Sequence, residues 1–186
     1  MFSALNNSDL NNSNSESFEQ IISKHINKLY NFALRLTQDA DNAKDLLQES
    51  CLTAFENYYQ LKDVKKIKPW LFQILHRKFL NNYRGKKDAP LIDIELTEEL
   101  LTDSDDFFNI KKIENMVGDE IYNAFYTLPV EFREIILLAD IEDLSYKEIS
   151  EILNIPMGTI ASRLYRGHKL LKEKLWHYAQ NLGYKK

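Results

Sequence analysis

The stretch Leu144–Leu175, LSYKEISEILNIPMGTIASRLYRGHKLLKEKL, decides how the chain folds. Ser145 and Glu148 make an S-x-x-E capping box, in which each side chain satisfies a backbone donor that a helix start leaves without a partner. Ile149, Ile152 and Leu153 then recur at helical spacing and give a short helix one apolar face. Asn154, Ile155 and Pro156 stop it, because Asn tolerates a left-handed cap and Pro disfavours helical geometry in the residue before it. The pattern resumes through Ile160, Leu164, Leu171 and Leu175, leaving Arg163, Arg166, Lys169, Lys172 and Lys174 mostly off the stripe. A short apolar helix, a turn and a longer basic helix form a helix-turn-helix, whose second helix can enter a DNA major groove. The same pattern also fits an ordinary helical hairpin with a solvated basic face.

Upstream, Ile113, Met116, Val117, Ile121, Phe125 and Leu128 give a further helix, and Pro129 opens another carrying Phe132, Ile135, Ile136, Leu138 and Ala139. Packed on the hairpin, they predict a second domain over residues 111–182. Residues 88–110 are acidic and weakly periodic, with Pro90 and the run DSDD, and read as a linker. Before it, Phe18, Ile21, Ile22, Ile26, Leu29, Phe32, Ala33 and Leu36 form a helical stripe. Asp39 or Asp41 caps a second helix through Ala43, Leu46, Leu47, Cys51, Ala54 and Phe55, whose other face shows Asp45, Gln48 and Glu49. Pro69 fits the first turn of a third helix, with Trp70, Leu71, Ile74, Leu75 and Phe79 on its buried side. These three helices predict a first domain over residues 16–87. Residues 1–15, rich in Asn and Ser, read as a disordered leader. The expectation is an all-α protein of two small helical domains joined by an acidic linker, the second containing the helix-turn-helix.

Composition supports this. Five Gly and four Pro in 186 residues are few, which favours helices over a turn-rich β fold. The single Cys, Cys51, excludes an intramolecular disulfide and fits a reducing cytosol. No apolar run approaches a membrane span, and the N-terminus lacks a secretory pattern, so the expected location is cytoplasmic. The net charge of -4 hides segregation: residues 60–87 carry nine Lys or Arg against one acid, and residues 88–120 eleven acids against two Lys. Two basic blocks around an acidic one are the footprint of two nucleic-acid surfaces with a repelled linker. His25, His76, His168 and His177 are scattered, and neither a metal-ligand pair nor a phosphate loop appears. Hence neither cofactor, metal site nor catalytic activity is expected.

Three segments, in this order, carry a family resemblance: DNAKDLLQES at Asp41–Ser50, PWLFQIL at Pro69–Leu75, and the run from Leu128 to Leu175. Together they resemble the extracytoplasmic-function (ECF, group IV) branch of the sigma-70 family of bacterial RNA polymerase sigma factors. The resemblance spans residues 16–180 and implies promoter recognition, melting and transcription initiation. It makes Asp45, Gln48 and Glu49, supported by Leu46 and Leu47, contacts to the clamp of the largest polymerase subunit, with the flap a further polymerase contact. It assigns Lys66, Lys68, Trp70, His76, Arg77, Lys78, Asn81 and Arg84 to the minus-ten element, where an unstacked base is captured. It assigns Thr159, Ser162, Arg163, Tyr165, Arg166 and Lys169 to the minus-thirty-five element as duplex. Ser162, Tyr165 and Arg166 would reach base edges or nearby phosphates, and Arg163 and Lys169 mainly phosphates.

Two positions depart from the family pattern. Ala161 stands where Lys or Arg is common, which removes a polar contact and offers one to a thymine methyl. Arg77 stands where Asn is common, within the base-capture segment. Core RNA polymerase and promoter DNA are the implied partners, with room for an anti-sigma factor. A stand-alone helix-turn-helix regulator, and a sigma-like module acting only through protein contacts, remain the alternatives.

Overall fold

A computed structural model describes residues 17–84 and 119–181, and these are helical without a strand. The leader, the linker, Lys86 and Lys87, and the start of the helix expected from Ile113 lie outside the described residues.

Helix α1, Phe18–Thr37, begins at a Ser17 capping box with Gln20 and ends at Gln38 in the left-handed region, φ 58°. The Gln38 N–H donates to Leu34 O at 2.8 Å, closing the last turn. Asp39 caps α2, Ala40–Asn57, by accepting from Asn42 N at 2.7 Å. Two short 3-10 turns, the second capped by Asp63, lead into α3, Ile67–Arg84. Leu29, Phe32 and Leu36 of α1 meet Ala43, Leu46 and Ala54 of α2 and Leu71, Phe72, Leu75 and Phe79 of α3 in one core. The Phe32 and Phe72 rings pack edge to face, centroids 5.1 Å apart.

The second unit starts with α4, Asp119–Tyr126, followed by α5, Val130–Ile136, which Pro129 introduces. At Leu137–Ile141 the helix widens into a π-turn, where Glu142 N–H donates to Leu137 O at 3.0 Å. Asp143 then takes φ 51° and turns the chain into the helix-turn-helix. As its sequence predicts, Ser145 and Glu148 close a capping box at α6, Tyr146–Leu153, and Asn154 ends it at φ 55°. Ser150 Oγ donates to Ile155 O at 2.6 Å, bracing the turn into α7, Met157–Asn181.

Gly167 fixes how closely α7 approaches α5. A Cβ there would lie 2.9 Å from Ile136 Cδ1 and 3.3 Å from Phe132 Cβ, inside the space a side chain needs. On either side of that crossing, Ile160, Leu164 and Leu171 join one core with Ile135, Leu138, Ile149 and Ile152. The two units also touch: α3 packs on α6, and α1 meets α5.

Two apolar residues leave the positions their stripes suggest. Phe55, counted with the buried side of α2, is 59% exposed, its ring resting against Phe18 at 5.6 Å. Ile26 of α1 is also exposed. Phe55 directly follows buried Ala54, and helical neighbours one residue apart point about 100° apart, so both cannot face one core.

Candidate nucleic-acid and protein interfaces

On α2 the core takes Ala43, Leu46, Ser50 and Ala54, so the opposite face is left to solvent. Asp45, Gln48 and Glu49 all lie exposed there; Leu46 is buried and Leu47 half-buried, as supports for that face would be. Ser50 Oγ donates to Leu46 O at 2.6 Å and stays within the helix. The face continues through Leu52, 60% exposed, Phe55, and Tyr59, 82% exposed. These were not among the sequence candidates. The spacing 45, 48, 49, 52, 55 and 59, continued past the acidic cluster, is the signal that finds them. An acidic patch running into an apolar one suits a protein partner better than a nucleic acid. Nearby Cys51 is half-buried, and burial pushes its thiol pKa up, which leaves it an unreactive thiol.

The eight candidates around α3 divide by direction. Arg77 and Asn81 are exposed, as is Lys66 just before the helix. Trp70 and Lys78 are half-buried. Trp70, Leu61, Lys66 and Gln73 line a shallow cleft whose far wall is Glu151 and Ile152 of α6. Lys68 and His76 are turned to the second unit instead. The Lys68 ammonium lies 3.3 Å from Glu142 Oε2 and also donates to Glu142 O. His76 is only 3% exposed, and its Nε2 meets Glu134 Oε2 at 3.2 Å. Arg84 ends α3, and its side chain lies outside the described residues.

The α7 candidates are presented more simply. Ile160, Leu164, Gly167 and Leu171 form its buried stripe. Thr159, Ser162, Arg163, Tyr165 and Arg166 are half-exposed beside it, and Lys169 is exposed. Ser162 Oγ donates to Thr159 O at 3.0 Å, which leaves its oxygen able to accept. Among the described residues no acidic side chain pairs with Arg166 or Lys169. His168 Nε2 lies 2.6 Å from Asp140 Oδ2, tying α7 to the π-turn and holding the helix from behind. Also among the described residues, no His, Cys, Asp and Glu group could hold a metal ion, and no helix is long and apolar enough to cross a membrane.

Known proteins resemble both units. The family described as Sigma-70 region 2 matches residues 21–88, and Sigma-70, region 4 matches residues 118–171. The ECF RNA polymerase sigma factor SigW of Bacillus subtilis is 30% identical over 167 residues, covering 86% of this chain and 89% of SigW. SigM of the same organism, also an ECF RNA polymerase sigma factor, is 31% identical over 156 residues, covering 83% and 92%. A solved structure of the sigma factor RpoE with the anti-sigma factor NepR from Bartonella quintana aligns with a TM-score of 0.65 at 26% identity, covering 85% of this chain and 96% of RpoE. Two helical units in this order, joined to an acidic α2 face and a basic α7, make this chain a member of the ECF branch of the sigma-70 family, an RNA polymerase sigma factor.

Proposed function

We propose that the chain carries out promoter recognition with three separate faces. α2 docks on the clamp of the largest polymerase subunit through Asp45, Gln48 and Glu49, with Leu46 and Leu47 holding the helix in place. Leu52, Phe55 and Tyr59 extend that contact with apolar area. Lys66, Trp70, Arg77, Lys78, Asn81 and Arg84 take the minus-ten element, basic groups on phosphates and Trp70 available for stacking on an unpaired base, and Lys68 and His76 join them once their pairs with Glu142 and Glu134 part. Thr159, Ser162, Arg163, Tyr165, Arg166 and Lys169 take the minus-thirty-five duplex, and the same domain meets the polymerase flap. The domains run over residues 16–87 and 111–182, after a leader at 1–15 and around a linker at 88–110. The protein acts in the cytoplasm, catalyses no reaction of its own, and has an anti-sigma factor as a further partner, as RpoE does in its complex with NepR.

The observation that supports this most is the separation of faces. The exposed side of α2 shares no residue with α3 or α7, so polymerase and DNA can be held together. Replacing Gln48 and Glu49 together by Ala removes two exposed polar groups and leaves the core untouched. Co-purification with core enzyme and run-off transcription should both be lost while the helical signal stays. Undiminished co-purification overturns the assignment of this face.

A further inference from the structure

α7 meets the rest of its unit along an apolar stripe that leaves one freedom open. Ile160, Leu164 and Leu171 are buried, and between Leu164 and Leu171 stands Gly167, at the crossing with Phe132 and Ile136 of α5. Gly167 has no side chain to interdigitate there, and apolar contact carries no direction. Packing at the crossing therefore resists a roll of α7 about its own axis only weakly. The next residue supplies a directed contact. His168 Nε2 lies 2.6 Å from Asp140 Oδ2, with the two side chains 19% and 10% exposed. An ionised carboxylate can only accept, so the Nε2–H donates.

Asp140 belongs to the π-turn at Leu137–Ile141, whose wider winding lets Glu142 N–H reach back five residues to Leu137 O. The pair it makes lies behind the reading side of α7: Arg166, two residues before His168, points about 160° away from it. Side-chain tips stand about 5–6 Å from a helix axis, so a roll of about 10° carries them by about 1 Å. Hydrogen bonds to a base edge tolerate only about 0.5 Å. An ammonium beside a phosphate acts as a point charge and tolerates the same shift.

We propose that Asp140 and His168 are positioning residues for promoter reading. Their hydrogen bond sets the roll of α7 and so aims Ser162, Tyr165 and Arg166 at base edges, while neither residue touches DNA itself. This rests on the assignment of α7 to the minus-thirty-five duplex, and it adds to that reading a pair outside the reading face. Phosphate contacts position a protein on duplex, and base contacts specify the sequence. Loss of the pair therefore lowers discrimination between duplexes and leaves binding to an arbitrary duplex nearly unchanged.

The test uses the full chain bound to core polymerase. The natural chain selects its preferred sequence from a pool of random duplexes, and that sequence and a scrambled copy become the two probes for fluorescence anisotropy. Asp140→Ala and His168→Ala should each lower the affinity ratio between the probes about tenfold, the worth of one base contact. The double variant should lose no more than either single one, because the two residues act as a unit. Asp140→Asn, whose amide oxygen can accept from the same Nε2–H, should restore the natural ratio. Melting midpoints of the same variants separate positioning from folding. An unchanged ratio beside a lowered midpoint overturns the positioning role, as do additive losses in the double variant or no recovery with Asp140→Asn. A natural chain that selects no sequence overturns the assignment of α7 itself, and the positioning role with it.

Discussion

α3 and α7 are both basic helices assigned to DNA, yet they are built under different constraints. α7 buries a single stripe, Ile160, Leu164, Gly167 and Leu171, and its polar residues fall outside it. α3 is walled on two sides: Phe72, Leu75 and Phe79 join the core shared with α1 and α2, while Gln73 and His76 meet the second unit. A helix with one buried stripe keeps nearly all its polar side chains for a partner. One that forms a wall between two units must share them.

The two walls of α3 should differ most in their cost. Phe72 is fully buried against Phe32, so Phe72→Ala should destabilise the chain by about 3–5 kcal/mol. Gln73→Ala, on the adjoining flank, removes one half-exposed hydrogen bond and should cost about 0.5–1.5 kcal/mol. Denaturant titration of both variants checks this. Similar losses would mean that the inter-unit side is as much core as the inner side.

On α7 the sharper question is which side chain reads sequence. Arg166→Ala should weaken binding to the cognate minus-thirty-five duplex by ~1–3 kcal/mol, more than on unrelated duplex. Lys169→Ala should weaken both alike. Fluorescence anisotropy of polymerase-bound protein on the two duplexes separates the outcomes. Equal losses for Arg166→Ala would reduce it to a phosphate contact and leave specificity to Ser162, Tyr165 and Ala161.

The same contrast explains what could be read from the sequence. The helix-turn-helix was legible because its signals are local: Ser145 with Glu148, the left-handed Asn154 and a stripe at helical spacing all lie within 32 residues. The acidic face of α2 was legible for the same reason. His76 was not. It sits in a basic segment that suggests DNA, while its partner Glu134 lies 58 residues away in sequence. Glu142 gave no signal at all, since its burial depends on a π-turn that no composition rule announces. Phe55 misled through its hydrophobicity, although the phase of α2 turns it outward.

The smallest expected effect tests the shared wall through a proton. His25 of α1 has a buried Nδ1 without a hydrogen-bond partner. Burial lowers its pKa first, and then Lys68 of α3 and Lys28 and Lys24 of α1 lower it further, while Glu142 of the second unit raises it. The unfolded chain takes up this proton near the ordinary value of 6.5, where the folded chain still resists. His25 therefore costs nothing above that pH, and stability falls as pH drops from about 6.5 toward the folded value. Denaturation midpoints at pH 7.5 and 5.5 should show a smaller acid loss for His25→Gln than for the natural chain. Glu142→Gln removes the one group that favours the charged ring, so it should deepen the His25-dependent part of that loss. If Glu142→Gln leaves that part unchanged, the carboxylate does not face His25 in solution, and the two units are not held together as the buried ion pairs require.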